Sequence, residues 1–231
     1  MICKLKLCIV MKQNKNAALA ELFAMETIKS VIFDWGGVLI DDPAPGLMQF
    51  CAKALLVTRE SYIKAHSKFA DSFQKGTICE DEFWGKICSE LNASKPDIPS
   101  LWAEAFEAAY VPRNGMFSIA SSLQENGYRT AVLSNTEVPA TQYFHQQKYD
   151  MFDVLVFSCA EGIQKPDRKI YELTLEKLGS QPRQSVFIDD NLEYIDGAKE
   201  AGINTILFQN TDQVKDELKQ LGVKIYINKT G

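Results

Sequence analysis

Four short stretches of this sequence carry side chains that can do chemistry, and each sits where a regular element ends or begins. Asp34, followed by Trp35, Gly36 and Gly37, comes straight after the apolar run Val31, Ile32, Phe33. Ser134 and Asn135 follow Ala131, Val132 and Leu133, and Asp189 and Asp190 follow Val186, Phe187 and Ile188. Lys165 and Pro166 stand just before a segment of helical periodicity. Taken singly, Asp34 reads as a polar turn, Ser134 and Asn135 as a loop that caps a helix, and Lys165 as a solvated loop lysine. The adjacent carboxylates at 189 and 190 are harder to dismiss, because they repel each other unless a cation or donors compensate them. Brought to one place, the four stretches would supply a carboxylate nucleophile, a hydroxyl donor, a cation and a paired-acid metal site.

Positioning them requires strands that end side by side. Five short β-rich runs, at 28–33, 130–133, 154–157, 185–188 and 204–208, are separated by helical patterns. The clearest pattern is 168–178, where Ile170, Tyr171, Leu173 and Leu178 recur, Asp167 can cap the start and Gly179 stops the end. A second runs over 192–201 and stops at Gly202. Strands alternating with helices predict a parallel α/β sheet covered on both faces, with ligands at the carboxyl ends of its strands.

One stretch breaks the alternation. From 45 to 110 no strand pattern is seen, while Leu47, Phe50, Cys51, Ala54 and Leu55 fall at helical spacing, as do Phe83, Trp84, Ile87, Cys88 and Leu91, then Leu101, Trp102, Ala105, Phe106 and Ala109. This helical insertion enters just after Asp34 and so belongs over that strand end.

Composition narrows the chemistry. Six cysteines in 231 residues are too few for a disulfide scaffold, and none form a C-x-x-C pair. The net charge of −5, with no basic run, argues against nucleic acid as a partner. No apolar stretch approaches the roughly 20 residues that span a bilayer, so no membrane association and a cytoplasmic location are expected. Residues 1–24 read as an N-terminal extension, with Met25 an alternative start.

At the four stretches the chain resembles the haloacid dehalogenase-like superfamily, in its phosphatase branch with a helical cap inserted after the first motif. Val31 to Leu39 matches the first motif, Leu133-Ser134-Asn135 the second, Gly162 with Lys165, Pro166 and Asp167 the third, and Phe187 to Asn191 the fourth. The resemblance implies a Rossmann-like core of residues 25–44 and 111–231 and a cap domain of residues 45–110. It also implies roles. Asp34 would attack phosphorus to give an aspartyl-phosphate. Mg²⁺ would be held by Asp34, the Gly36 carbonyl and Asp190, with Asp189 supporting. Ser134 and the backbone N–H groups around Trp35 and Asn135 would hold phosphate oxygens, and Lys165 would bridge nucleophile and phosphate.

One departure from the family pattern matters. Most phosphatases of this superfamily carry a second aspartate two residues after the nucleophile, which protonates the leaving group; here that residue is Gly36. General acid–base help worth about 10² to 10⁴ in rate is then missing unless another group supplies it, with Asp41 and Asp42 the nearest candidates and a positive φ at Gly36 a reason for the glycine. His66 and His145 read as surface or structural residues, Trp84 and Trp102 as cap core, and the Trp35 side chain as packing. The expected function is a Mg²⁺-dependent phosphatase of a small phosphorylated metabolite, a sugar phosphate being one candidate. The alternative is a catalytically weakened member that binds a phosphorylated ligand or a protein. Oligomeric state is not legible.

Overall fold

The computed structural model describes residues 27–226; the N-terminal stretch 1–24 and Met25 lie outside the described residues. Five strands form one sheet: β1 (Ser30–Phe33), β2 (Arg129–Ser134), β3 (Val154–Phe157), β4 (Ser185–Asp189) and β5 (Asn204–Leu207), in the order β3-β2-β1-β4-β5. Every pairing is parallel, and Phe33 of β1 faces Val132 on one side and Ile188 on the other. The strands begin and end within two residues of the runs read from the sequence.

Side-chain alternation divides the core into two layers. Val31, Phe33, Val132, Val186 and Ile188 pack on one face, with Ile119, Leu123, Val214 and Leu218 from α6 (Asn114–Glu125) and α11 (Thr211–Gln220). Ile32, Ala131, Leu133 and Phe187 pack on the other, with Ile170, Tyr171 and Leu175 of α9 (Arg168–Leu178) and Ile195 and Ala198 of α10 (Leu192–Glu200). A period of two on the strands and about 3.6 on the helices is what lets both faces be buried at once. Asp167 caps α9 by accepting from the Lys169 amide at 3.0 Å, and Gly179 closes it with φ of 63°.

Between β1 and α6 the chain forms five helices, α1 (Ala44–Ala54), α2 (Arg59–His66), α3 (Ala70–Gln74), α4 (Glu80–Leu91) and α5 (Leu101–Ala109). Its two connections run antiparallel: the Asp41 amide donates to the Val111 carbonyl and the Arg113 amide to the Leu39 carbonyl, both at 2.9 Å. An aromatic cluster joins these helices, with Phe73 stacked on Phe83 at 4.3 Å and the His66 ring parallel to Trp102 at 5.6 Å. The remaining helices, α7 (Val138–Gln146) after β2 and α8 (Ser158–Glu161) after β3, complete the alternation. Among the described residues no helix is long and apolar enough to cross a membrane.

Candidate active site

The chain leaves β1 outward to β2 and β3, then returns to β4 on the other side of β1. Strand order reverses there, and a crevice opens at the carboxyl edge. Asp34 follows β1 and Asp189 ends β4, and the Asp34 amide donates to the Ile188 carbonyl at 2.9 Å, so the ladder itself sets the two carboxylates side by side. Lys165, from the loop before α9, reaches between them: its Nζ lies 2.9 Å from Asp34 Oδ1 and 2.7 Å from Asp189 Oδ2. Asn135 fixes that loop. Its side chain donates to the Lys165 carbonyl and accepts from the Lys165 amide, each at 2.9 Å. The lysine ammonium also lies 4.7 Å from the centre of the Tyr194 ring.

All three charged groups are buried, and burial acts on the protonation of Asp34 and Lys165. The Asp34 carboxyl is pushed up to about 7 by desolvation and by Asp189, against the pull of Lys165. Burial alone would lower Lys165, but Asp34 and Asp189 more than offset it, so its net shift is upward and the ammonium persists. Asp190 is raised by desolvation and by Asp189. Three carboxylates share one lysine, so the cluster lacks positive charge. Each of Asp34, Asp189 and Asp190 offers an oxygen, and these oxygens lie within 4.8 Å of one another, a hard donor set that fits Mg²⁺. Gly37, with φ of 87°, lies so close to Asp190 that an added Cβ would stand 2.2 Å from its Oδ2; the turn needs glycine here.

A cavity of about 200 Å³ opens above this edge. Asp34, Ser134, Asn135 and Lys165 contribute from the core; Leu47, Met48, Trp102 and Phe106 contribute an apolar wall from the inserted helices. Every residue expected to touch phosphate or metal lies on this edge, with two refinements. The Trp35 amide donates to Asp34 Oδ1 at 2.7 Å, which orients that carboxylate, and the Asn135 side chain is spent on the Lys165 loop. The Trp35 ring packs among Phe106, Phe144 and Phe157, as expected.

Other expectations need correction. Gly36 does not have a positive φ; the constraint on it is the Pro43 ring, 3.2 Å from where a Cβ would stand. Asp41 is half-exposed, pairs with Arg113 at 2.8 Å and does not line the cavity; Asp42 does, with its Oδ1 accepting from the Ala44 amide at 3.0 Å. His66 and Trp102 stack within the inserted helices, as structural residues do, yet both also line the cavity. Sequence reading missed Glu137 altogether. It lies three residues beyond Ser134, is buried in the cavity wall, and accepts from Trp102 Nε1 at 3.1 Å. A lone acid between Thr136 and Val138 in a polar loop gives no signal, because its burial depends on helices distant in sequence.

Comparison with known proteins agrees with this geometry. Residues 28–202 match the family described as haloacid dehalogenase-like hydrolase. Over 204 residues the chain is 31% identical to acyl-CoA dehydrogenase family member 10 of Mus musculus, covering 84% of this chain but 19% of that much longer protein. It is 27% identical over 202 residues to the sesquiterpene phosphatase astK of Aspergillus oryzae, covering 84% of this chain and 97% of the relative. A family enzyme of Bacteroides thetaiotaomicron solved with magnesium and inorganic phosphate shares the fold with a TM-score of 0.66 at 23% identity, over 79% of this chain and 94% of the other. With more than half of its length matched by the family, and the family's motif residues converging on one sheet edge, the chain belongs to the haloacid dehalogenase-like hydrolases.

Proposed function

We propose that the chain is a Mg²⁺-dependent phosphatase that hydrolyses a small phosphorylated metabolite through an aspartyl-phosphate on Asp34, with helices α1 to α5 serving as its cap. The observation that carries this reading is the buried Asp34, Lys165 and Asp189 cluster, with the exposed Asp190 beside it, at the sheet edge where a cavity of about 200 Å³ opens. An anionic nucleophile meeting an anionic phosphate needs its repulsion cancelled, and a fixed cation in a water-poor site does so without reorganisation. Asp34, oriented by the Trp35 amide, attacks phosphorus; Lys165 steadies the carboxylate and the incoming phosphoryl oxygens. The Ser134 hydroxyl and the backbone N–H groups around Trp35 and Asn135 hold the remaining oxygens. Asp34, the Gly36 carbonyl and Asp190, with Asp189 supporting, would hold Mg²⁺, which when bound supplies positive charge to the phosphoryl group. The fungal phosphatase relative and the magnesium- and phosphate-bound neighbour support this chemistry.

The cavity volume favours a compact substrate, and its Leu47, Met48, Trp102 and Phe106 wall favours one with an apolar or ring-shaped body. A phosphate-release screen with Mg²⁺ over sugar, nucleotide, acyl and alkyl phosphates tests the reading, with release expected for at least one class and lost on chelation. Gly36 favours a second reading, a weakened member that binds such compounds without turning them over. Binding in calorimetry with no release across the whole panel would select it.

A further inference from the structure

Phosphoryl transfer to Asp34 leaves an alkoxide that must gain a proton, and position 36 has no side chain to give one. The cavity itself restricts the alternatives. Its carboxyl groups are Asp34, Asp42 and Glu137. Asp34 is paired with Lys165, and Asp42 is exposed and turned to the amide that starts α1. Glu137 is different in each respect. It stands on the loop that carries Ser134 and Asn135, three residues from the expected phosphate contact, and its side chain meets the inserted helices, where Trp102 Nε1 donates to Oε2. It thus joins the loop that carries Ser134 to the wall of inserted helices, and it lines the same cavity as Asp34 and Ser134.

We propose, building on the phosphatase reading, that Glu137 is the general acid and base that Gly36 cannot be. As the bond from Asp34 to phosphorus forms and the ester P–O bond breaks, the Glu137 carboxyl gives its proton to the departing oxygen and the product leaves as an alcohol. Glu137, now a carboxylate, takes a proton from the water that attacks the aspartyl-phosphate. Inorganic phosphate and the Asp34 carboxylate are released, and Glu137 is protonated again.

Its surroundings suit that task. Desolvation pushes the carboxyl up to about 7, with bonds from Gln74 and Trp102 opposing it. The groups facing it are Gln74 of α3, Trp102 of α5, Tyr62 of α2 and Cys159 of α8, with His66, Asp34 and Lys165 in the same cavity. Burial raises the Tyr62 hydroxyl and the Cys159 thiol and lowers His66 to about 4, so these three are neutral around pH 7 and leave Glu137 as the wall's titrating acid.

The test compares p-nitrophenyl phosphate, whose leaving group needs no proton, with glycerol 2-phosphate, whose alkoxide does. Glu137→Gln keeps an amide oxygen to accept from Trp102. We expect it to lower kcat/KM about 10²-fold or more for the alkyl ester and less than about fivefold for the aryl ester. In the wild type, the ratio of alkyl to aryl rates should fall as pH rises through 7, a readout that requires no variant. Equal losses on both esters, or a pH-independent ratio, would overturn the proposal and leave Glu137 a structural or recognition residue. Beryllofluoride labelling of Asp34 separates the two layers of the argument. A labelled, active wild type with an unaffected Glu137→Gln variant refutes the acid alone, whereas a wild type that neither labels nor turns over either ester refutes the phosphatase reading and the acid with it.

Discussion

The strand edge that carries Asp34 and the aromatic wall opposite it are held in place by different means. At the edge, backbone bonds do the positioning: Asp34 is tied to β4 through Ile188, and the Lys165 loop is tied to Asn135 through two main-chain groups. The wall rests on side chain against side chain, His66 on Trp102, Phe73 on Phe83, Trp35 on Phe106. A ladder permits few alternatives, whereas an aromatic cluster tolerates swaps that conserve volume. The edge is therefore suited to fixed chemistry and the wall to changing specificity, and each can be broken separately.

The largest effect is expected at the edge. Asp34→Asn removes the proposed nucleophile, and turnover should drop below a few per cent of wild type in a phosphate-release assay, while the melting temperature holds or rises because a buried carboxyl has lost its charge. Beryllofluoride should label the wild type only. Removing the cation is the next largest. Lys165→Met leaves Asp34 and Asp189 facing each other across a buried gap, which should cost about 3 to 5 kcal/mol of unfolding free energy in urea. Added Mg²⁺ should recover part of that loss, since a ligand bound only by the folded state stabilises it. A variant as stable as wild type without metal would mean that the lysine is not what balances the edge.

The proposed metal site gives a smaller, graded effect. Asp190→Ala should weaken Mg²⁺ binding in calorimetry about tenfold to a hundredfold, and Asp189→Asn by less, because Asp189 is already engaged by Lys165 and by the Asn191 amide at 2.8 Å. Equal affinity in Asp190→Ala and wild type would move the metal elsewhere.

Sequence alone revealed the edge well and the wall poorly, and the reason is the same division. Apolar runs ending in Asp34, Ser134 and Asp189 report both a strand and its last residue, so parallel pairing delivers those side chains to one place. Gly37 was legible as a turn, yet the reason for Gly36 was not: Pro43, seven residues on, folds back against it. The helical spacing of Trp102 and Phe106 showed an apolar face but not that part of it borders a cavity. Glu137 had no periodicity to reveal it, because its burial is created by α3 and α5, which precede it by more than 25 residues.

The smallest effect tests whether wall and edge are joined through Glu137. Trp102→Phe keeps an aromatic ring in the stack with His66 but deletes the Nε1 donor to Glu137 Oε2. Loss of one buried hydrogen bond costs about 1 kcal/mol, and more when the acceptor is charged. Folding has already raised the Glu137 carboxyl from 4.5 to about 7, so the folded state holds a proton there that the unfolded chain has released between those values. Stability contributed by this group therefore falls as pH rises from about 4.5 towards 7. The Trp102 bond counters that loss by favouring the carboxylate, and removing it raises the folded pKa further. At pH 5 Glu137 is protonated in the folded state with or without the donor, so the variant should lose about 1 kcal/mol or less. At pH 8 the buried carboxylate must be carried with one donor fewer, and the loss should grow to about 2 kcal/mol. Urea melts at the two pH values measure the difference directly, with Glu137→Gln in the background of each protein as the control. If the pH-dependent part survives in that control, it belongs to another group, and Trp102 couples the wall to the edge by packing alone.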